Sequence, residues 1–153
     1  MTVPADLSRS DAGLNFDAYV ALFESLTPER LDEFRSFCAE DVRFVDPFNE
    51  VIGIDRLIGV FRHMYTMVDD PRFDVIDRAM GQRAGYVRWR FSSRSKHGSR
   101  ELILEGMSEI KFAADGRVCA HIDHWDPAGQ LYARLPVIGW LMRRLARRLS
   151  ASG

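Results

Sequence analysis

The change of hydrophobic period near Pro71 constrains the fold of this 153-residue chain more than any other feature. Between Phe16 and Val68, apolar residues recur at the three- and four-residue intervals of helices that face a core. From Phe73 to Trp125 they alternate with polar residues, as in strands with one buried face. Helices followed by a run of strands indicate the α+β class, in which one curved antiparallel sheet packs against a helical layer.

Helix and strand signals divide the chain into one domain with two flanking segments. Residues 1–13 form a predicted flexible arm, residues 14–134 the domain, and residues 135–153 a basic amphipathic C-terminal helix. The predicted helices of the first half begin near Asn15, after Thr27-Pro28 and at Gly53, with a strand over 42–46 and a loop over 48–53. The predicted strands of the second half are 73–79, 86–92, 100–112 and 117–125, with turns at 96–98 and Asp115-Gly116.

Composition limits the classes of function. With 46% hydrophobic and 28% charged residues the chain has ordinary globular composition, and its net charge of −1 gives no general reason to expect a nucleic-acid partner. Cys38 and Cys119 lack CxxC spacing, which argues against a disulfide scaffold or a zinc site. The sequence shows no signal peptide and no apolar run long enough to span a bilayer, so we expect a cytoplasmic protein.

The last predicted strand carries the strongest functional signal. Its period of 2 places His121, Asp123 and Trp125 on one face. If this face points inward, its polar groups need partners or a cavity, because a buried unpaired charge is costly. A histidine with an aspartate on the same face is a candidate base with a group that orients it.

Three further side chains have both a chemical and a structural interpretation. Asp46, at a strand end before Pro47, could be a general base or part of a common Asp-Pro turn. Tyr19 lies on an apolar helical stripe and could donate to a substrate or to a backbone carbonyl. Asp126 could act in catalysis, although we favour a role in capping the turn that follows it.

The C-terminal helix combines apolar residues with Arg143, Arg144, Arg147 and Arg148. Three interpretations are open: contact with a membrane surface, an anionic partner site, or a helix docked on its own subunit or on a dimer mate. We favour the docked helix, whose charged face would simply be solvated.

Five short motifs follow one another along the chain: Tyr19-Val-Ala-Leu-Phe, Ala39-Glu-Asp-Val-Arg-Phe-Val-Asp-Pro, Gly53-Ile-Asp-Arg-Leu, Asp115-Gly-Arg-Val and His124-Trp-Asp. Their order and spacing resemble the ketosteroid-isomerase-like superfamily, which includes nuclear transport factor proteins and SnoaL-type polyketide cyclases. The resemblance spans roughly residues 14–135. It implies a cone-shaped half-barrel whose wide mouth holds a small, mostly apolar ligand, often in a homodimer.

The resemblance also implies residue roles. Asp46 is similar to the isomerase base, Tyr19 to the oxyanion-hole tyrosine and Trp125 to an aromatic pocket wall. Ser108 stands where the isomerases have a second aspartate, whose carboxylic acid stays neutral and donates a hydrogen bond. Cys38 and Phe61 stand where the isomerases have two supporting tyrosines.

Two other branches of the superfamily resemble the end of the last strand. Asp126 in Asp-Pro-Ala-Gly is similar to the catalytic aspartate of the cyclases. His121 and Asp123 resemble the Trp-x-Asp of limonene-epoxide hydrolases, although Arg88-Trp-Arg stands where that family has Arg-x-Asp.

Together these observations predict a pocket protein that performs cofactor-independent acid–base chemistry on a hydrophobic oxygenated molecule, as an isomerase, cyclase or hydrolase. The alternative is a binding module of the same fold. We expect a homodimer, no cofactor, no nucleic acid and no metal, although His63, His121 and Asp123 have suitable chemistry for one. The predicted catalytic residues are Asp46, Tyr19, Asp123 and His121, and the predicted substrate contacts are Trp125, Ser108, Phe61, Phe23, Trp89 and Asp126.

Overall fold

The computed structural model of the protein describes residues 7–96 and 101–149. It confirms the α+β class, with helices packed against a curved, unclosed sheet of six strands. The helices are α1 (Leu7–Glu24), α2 (Phe34–Phe37), α3 (Ile54–Met67), α4 (Pro127–Gln130) and α5 (Pro136–Leu149), with 3-10 turns at Pro28–Glu33 and Tyr132–Arg134. The strands are β1 (Cys38–Val45), β2 (Glu50–Ile52), β3 (Val68–Met80), β4 (Gly85–Ser95), β5 (Glu101–Phe112) and β6 (Val118–His124).

The sheet has the strand order β2-β1-β6-β5-β4-β3. The four later strands form the predicted antiparallel meander, and β1 adds to it in parallel with β6, so that Phe44 pairs with His121. The prediction of a loop over residues 48–53 is wrong in part, because these residues include β2, which pairs with β1. Only three residues form β2, too few to show an alternating pattern.

The core lies between the concave face of the sheet and the helices. On α1 the predicted stripe buries Phe16, Tyr19 and Val20, and on α3 it buries Leu57 and Ile58. Along β4 every second residue from Val87 to Ser93 is buried, as the period of 2 predicts. The largest fully buried side chains are Tyr19, Phe34, Phe44, Leu22, Leu31, Leu57, Ile58, Ile110, Val20, Val42, Val118 and Cys38.

Several predicted element ends differ from the structure. The first helix begins at Leu7 instead of near Asn15, whose side-chain amide instead donates to the carbonyl oxygen of Gly116 over 2.7 Å. The helix predicted to end near Ala39 ends at Phe37, because Cys38 already pairs with Val118 in the sheet. Short apolar runs fit both periods, so pairing partners distant in sequence decide where such helices end.

The third helix ends at Met67, before the predicted stop at residues 69–71. Val68 opens β3, where Asp70 has a φ of 48° and the pairing with β4 skips from Asp69 to Arg72. Pro71 has no N–H to give to a neighbouring strand, and a bulge on an edge strand is where a sheet tolerates it. Pro71 therefore lies at an irregularity within β3, and the helical region has already ended at Met67.

Residues 136–149 form the predicted final helix, α5, and residues 150–153 of the predicted C-terminal segment lie outside the described residues. Among the described residues, no helix has the length and apolar character needed to cross a membrane. Of the predicted turn at 96–98 and the predicted strand start at Arg100, residues 97–100 lie outside the described residues, as do residues 1–6 of the predicted arm.

Candidate active site

A cavity of about 720 Å³ lies between the helices and the concave face of the sheet. Its wall is formed by α1, α3, all six strands and the residues that follow β1 and β6, and it is predominantly apolar. This volume is in the range in which proteins hold small organic ligands. The exposed side chains in its lining mark where it opens to solvent: Phe48, Arg56, His63 and Met67.

A continuous chain of hydrogen bonds crosses the wall of this cavity. The Tyr19 hydroxyl lies 2.9 Å from Nδ1 of His121, and Nε2 of His121 lies 2.8 Å from Oδ1 of Asp123. The Ser108 hydroxyl donates to the same Oδ1, and the indole N–H of Trp89 donates to Ser108 Oγ over 2.8 Å. We call these five side chains the polar chain; all of them line the cavity.

Local geometry explains how the polar chain forms. His121 and Asp123 share one face of β6 because they are two residues apart. Ser108 of β5 is the direct partner of Asp123 in the antiparallel register, so their side chains meet across the strands. Tyr19 reaches His121 from α1, across a separation of 102 residues.

The donors and acceptors of the polar chain fit one arrangement of protons. The indole N–H of Trp89 can only donate, so Ser108 Oγ accepts and turns its own proton towards Asp123. With a neutral His121 ring, Nε2–H donates to the Asp123 carboxylate and Nδ1 accepts from the Tyr19 hydroxyl. Every proton in the arrangement therefore points along the polar chain towards Asp123.

Burial keeps Tyr19 in its neutral form. Its side chain is 1% exposed, and burial, followed by the neighbouring Cys38 and the charge of Asp123, raises its pKa well above the ordinary value. Burial also raises the pKa of Cys38 from its ordinary value of 9.0 to about 12. Tyr19 is therefore a hydrogen-bond donor at neutral pH, with His121 Nδ1 as its partner. The donor role towards a substrate that the resemblance implies stays a prediction.

Asp123 is the member of the polar chain with an oxygen atom, Oδ2, that accepts no hydrogen bond from a described residue. Its side chain is 16% exposed, whereas that of His121 is 5% exposed. The bonds from His121 and Ser108 both end on Oδ1. Oδ2 therefore remains able to take a proton from a ligand or a water molecule in the cavity.

Asp46 also lines the cavity, but its carboxylate is bound within its own turn. Oδ1 accepts from the backbone N–H groups of Phe48 and Asn49, over 2.7 and 2.6 Å. The side-chain amide of Asn49 lies within hydrogen-bond distance of both carboxylate oxygens. These are the contacts of an Asp turn, and the base role of Asp46 stays a prediction.

The other predicted residues fall into two places. Phe23, Phe61, Trp89, Ser108 and Trp125 line the cavity, as predicted for substrate contacts. The ring of Trp125 packs edge-on against that of Phe48 at the opening, with centroids 5.5 Å apart.

Asp126 lies apart from that cavity. It lines a shallow groove that shares Asp46, Asp123 and Trp125 with the cavity. The Oδ1 of Asp126 accepts from the N–H of Gly129 over 3.0 Å, which caps α4.

Sequence reasoning did not identify several residues of the cavity wall. Phe44 packs against the His121 ring with a centroid distance of 5.2 Å, and Leu131 closes the wall after β6. A side chain facing a cavity has the same apolar signature as one facing a filled core, so no pattern could distinguish them. The remaining wall residues outside the prediction include Val60, Met64, Phe73, Val75, Phe91 and Leu104.

No group of three or more His, Cys, Asp or Glu side chains converges as a metal site among the residues that the structure describes. His63, one of the three candidate ligands, is exposed on α3, where its ring lies near Thr66. In the polar chain, His121 and Asp123 are instead hydrogen-bonded to each other.

Comparison with solved structures shows the fold. A structure from Jannaschia sp., described as a candidate SnoaL-like polyketide cyclase, has a TM-score of 0.65 with 14% identity, over 82% of this chain and 90% of that one. A protein from Catenulispora acidiphila with a ketosteroid-isomerase-like fold, in complex with trimethylamine, has a TM-score of 0.66 with 13% identity, over 91% and 98%. A steroid delta-isomerase from Pseudomonas aeruginosa has a TM-score of 0.57 with 23% identity, over 98% and 100%.

Comparison by sequence gives two further findings. No protein of curated function matches the chain. The SnoaL-like domain family matches residues 19–121, a segment that includes all of α3 and β1 to β5 and ends within β6 at His121. The chain therefore belongs to the family of SnoaL-like domain proteins.

Proposed function

We propose that this protein is a cofactor-independent acid–base enzyme that removes a proton from a hydrophobic, carbonyl-bearing molecule bound in the cavity, with Asp123 as the base. The observation that carries the proposal is the position of Asp123 at the end of the polar chain. Two side-chain donors fix one carboxylate oxygen, and the other oxygen is free to react. A base whose orientation is fixed before the substrate arrives needs little reorganisation during proton transfer.

The chemistry follows from that arrangement. Oδ2 of Asp123 takes a proton from the carbon next to a substrate carbonyl, and the electron pair of the C–H bond moves into an enolate. The proton then returns to the same molecule at another carbon or on oxygen, which completes an isomerisation. In a cyclisation, the enolate carbon instead forms a bond to a second carbonyl carbon, whose oxygen takes the proton. Throughout either reaction, His121 and Ser108 hold Oδ1.

The cavity wall supports the class of substrate. Aromatic and aliphatic side chains such as Phe23, Phe61 and Trp125 form most of it, which favours a flat or polycyclic hydrocarbon skeleton. The few polar groups favour one or two oxygen functions. Steroids, terpenoids and polyketides have this character, and the similar structures include a candidate polyketide cyclase and a steroid isomerase.

Exchange of hydrogen for deuterium tests the proton-transfer step without knowledge of the product. Ligands that raise the melting temperature in a screen of steroid, terpenoid and polyketide-like ketones are incubated with the protein in D₂O, and their α-carbons are followed by NMR. We expect the wild type to catalyse exchange and Asp123→Asn to slow it by about 10²–10⁴-fold, the usual contribution of a general base.

Two further variants locate the base. Asp74→Asn is the matched control, since Asp74 is an exposed carboxylate on β3 between two cavity-lining residues, and it should exchange at the wild-type rate. Asp46→Asn tests the base that the resemblance implies. If Asp46→Asn loses exchange and Asp123→Asn keeps it, Asp46 is the base and our assignment to Asp123 is wrong.

A binding module of the same fold is the second candidate function. It is favoured by the hydrogen bonds already present: the polar chain and the Asp46 turn have internal partners without any ligand. Ligand-induced stabilisation in the absence of α-carbon exchange would identify such a module. The homodimer and the cytoplasmic location expected from the sequence stay predictions under either function.

A further inference from the structure

The C-terminal helix α5 carries an uncovered apolar face. Ile138, Leu141 and Leu145 lie on one side of the helix and are 45%, 57% and 49% exposed, and Leu149, on the same side, is 78% exposed. Leucines in a helix that packs on its own domain are mostly buried, as Leu57 of α3 is. The apolar face of α5 therefore has no cover within the described part of the subunit.

The opposite side of α5 is strongly basic. Arg143, Arg144, Arg147 and Arg148 lie there, and no acidic residue follows Asp126 in the sequence. Together with Arg134 they account for five of the 21 basic residues, so the chain before Arg134 has 16 basic residues against 22 acidic ones. A positive helix is therefore joined to a negative domain, which points to an anionic partner.

Trp140 adds an aromatic group to the basic side, at a helix position between those of Arg147 and Arg144. Its side chain is 54% exposed, and the Arg144 guanidinium lies 5.7 Å from the centre of its ring. Tryptophan and arginine are enriched where apolar and aqueous phases meet at a bilayer surface. The helix therefore has the three components of an interfacial helix: an apolar face, a basic face and an aromatic side chain.

Packing within the subunit uses little of α5. The helix is held at its start, where Gly139 is buried against Ala133 and the Arg143 guanidinium donates to the Ala133 carbonyl over 3.0 Å. Docking of α5 on its own subunit is thus limited to this contact, and docking on a dimer mate stays a prediction.

A second copy of the chain is the competing occupant, because its domain is net acidic and Ile103 and Met107 are exposed beside Glu105 on the outer face of β5. Glu105 itself is already paired with Arg88 and Arg90. An anionic lipid bilayer, in contrast, offers apolar chains and negative charge together in one layer.

We propose that α5 binds the surface of an anionic lipid bilayer and lies in its interface, without crossing it. The helix follows directly after the opening of the cavity: Leu131 lines the cavity, and Tyr132 contacts the exposed ring of Phe48 with a centroid distance of 6.5 Å. Binding through α5 brings this opening close to the lipid. A hydrophobic ligand dissolved in the bilayer would then reach the cavity over a short path.

Co-sedimentation with lipid vesicles tests the proposal with the full chain and no ligand. Vesicles of phosphatidylcholine alone are compared with vesicles in which about one third of the lipid is phosphatidylglycerol, at low and at raised salt. We expect sedimentation with the anionic vesicles, little with the neutral ones, and a loss at raised salt. Trp140 emission should shift to the blue as the ring leaves water, and Trp140→Phe should abolish that shift.

Two pairs of variants separate the faces of the helix. Leu141→Ser should weaken vesicle binding about tenfold, whereas Leu14→Ser, which changes a leucine 71% exposed on α1, should leave it unchanged. Arg147→Gln/Arg148→Gln should also weaken it by at least about tenfold, whereas Arg62→Gln/Arg83→Gln removes two exposed charges elsewhere and should not.

Other results overturn the proposal. Absence of sedimentation with either vesicle, or equal effects of a variant and its control, would show that α5 has no special affinity for lipid. Light scattering without vesicles compares the molecular mass of Leu141→Ser with that of the wild type. A lower mass for the variant would show that a second copy covers the apolar face. These outcomes are independent of deuterium exchange, so the acid–base proposal and the membrane proposal can fail separately.

Discussion

Asp46 and Asp123 are the two carboxylates at the cavity, and their hydrogen-bond partners separate their roles. Asp46 accepts from the backbone N–H groups of Phe48 and Asn49, contacts that shape the turn after β1. Asp123 accepts from two side chains that have no such local function. Moving a carboxylate that holds a turn would destabilise the turn. A carboxylate held by side chains at a cavity can exchange protons without moving.

Replacing Ser108 by alanine tests the polar chain. The change removes one bond to Asp123 and leaves the buried indole N–H of Trp89 without its acceptor. An unsatisfied buried donor costs about 1–3 kcal/mol, so we expect Ser108→Ala to lower the free energy of unfolding by that amount, as measured by urea titration.

The partner variant Trp89→Phe supplies the control for this prediction. In the double variant Ser108→Ala/Trp89→Phe, donor and acceptor are both absent, so the two losses should sum to more than the double variant shows. Strictly additive losses would mean that the bond between Trp89 and Ser108 contributes nothing to stability.

Alkaline pH should destabilise the protein through Tyr19 and Cys38. Burial raises the pKa of both groups in the folded state, that of Cys38 from 9.0 to about 12. The folded chain therefore keeps these protons at a pH where the unfolded chain releases them. Their contribution to stability is complete below about pH 9 and is lost as the pH rises towards 12, by about 1.4 kcal/mol per pH unit for one group.

Urea titrations across this alkaline range measure how steeply the free energy of unfolding falls with pH. Cys38→Ser removes one of the two groups and should flatten it, whereas Cys119→Ser, at a less buried thiol, should change it less. An identical slope for the wild type and Cys38→Ser would refute the assignment to Cys38.

At the scale of elements, sequence periodicity predicted what local side chains determine. The buried face of β4 and the Asp115-Gly116 turn, where Gly116 has a φ of 81°, follow directly from residues close in sequence. β2 does not, because three residues are too few to show an alternating pattern. The parallel pairing of β1 with β6 does not, because it joins residues about eighty positions apart. The ends of α2 and α3 moved for the same reason: Cys38 and Val68 satisfy their backbones in the sheet.

Gly106 on β5 is an element-scale requirement that can be tested. A Cβ at this position would lie 2.5 Å from the Trp89 ring and 2.9 Å from the carbonyl oxygen of His124, closer than atoms can pack. We expect Gly106→Ala to lower the free energy of unfolding by about 1–3 kcal/mol and to disturb the bond from Trp89 to Ser108. Thermal unfolding with Trp fluorescence reports both effects.

Gly59→Ala is the matched control on α3. A Cβ there meets nothing within 4 Å, and alanine favours a helix over glycine by up to about 1 kcal/mol. We therefore expect unchanged or increased stability. If both variants behave alike, the close approach of Trp89 to β5 is not what requires glycine.

At the scale of the whole molecule, the candidate site is a product of tertiary structure. The sequence placed His121 and Asp123 together on one strand face, because two-residue spacing is a local property. It could not connect Tyr19 to His121, or show that Trp89 and Ser108 complete the polar chain, because α1, β4 and β5 meet β6 only in the folded domain. The sequence allowed two interpretations of Asp46 before Pro47. The hydrogen bonds that describe the turn, from the N–H groups of Phe48 and Asn49, are visible only in the structure.

The division between the domain and α5 leads to a last prediction. The sheet, α1 and α3 share one core, whereas α5 buries only Gly139 against the preceding turn. Deleting residues 136–153 should therefore shift the melting temperature by no more than about 4 °C, the effect of roughly 1 kcal/mol in a domain of this size. The truncated chain should keep ligand-induced stabilisation and α-carbon exchange but lose vesicle binding. A fall in melting temperature far beyond that range would show that the apolar face of α5 packs on protein, and that this helix is part of the fold.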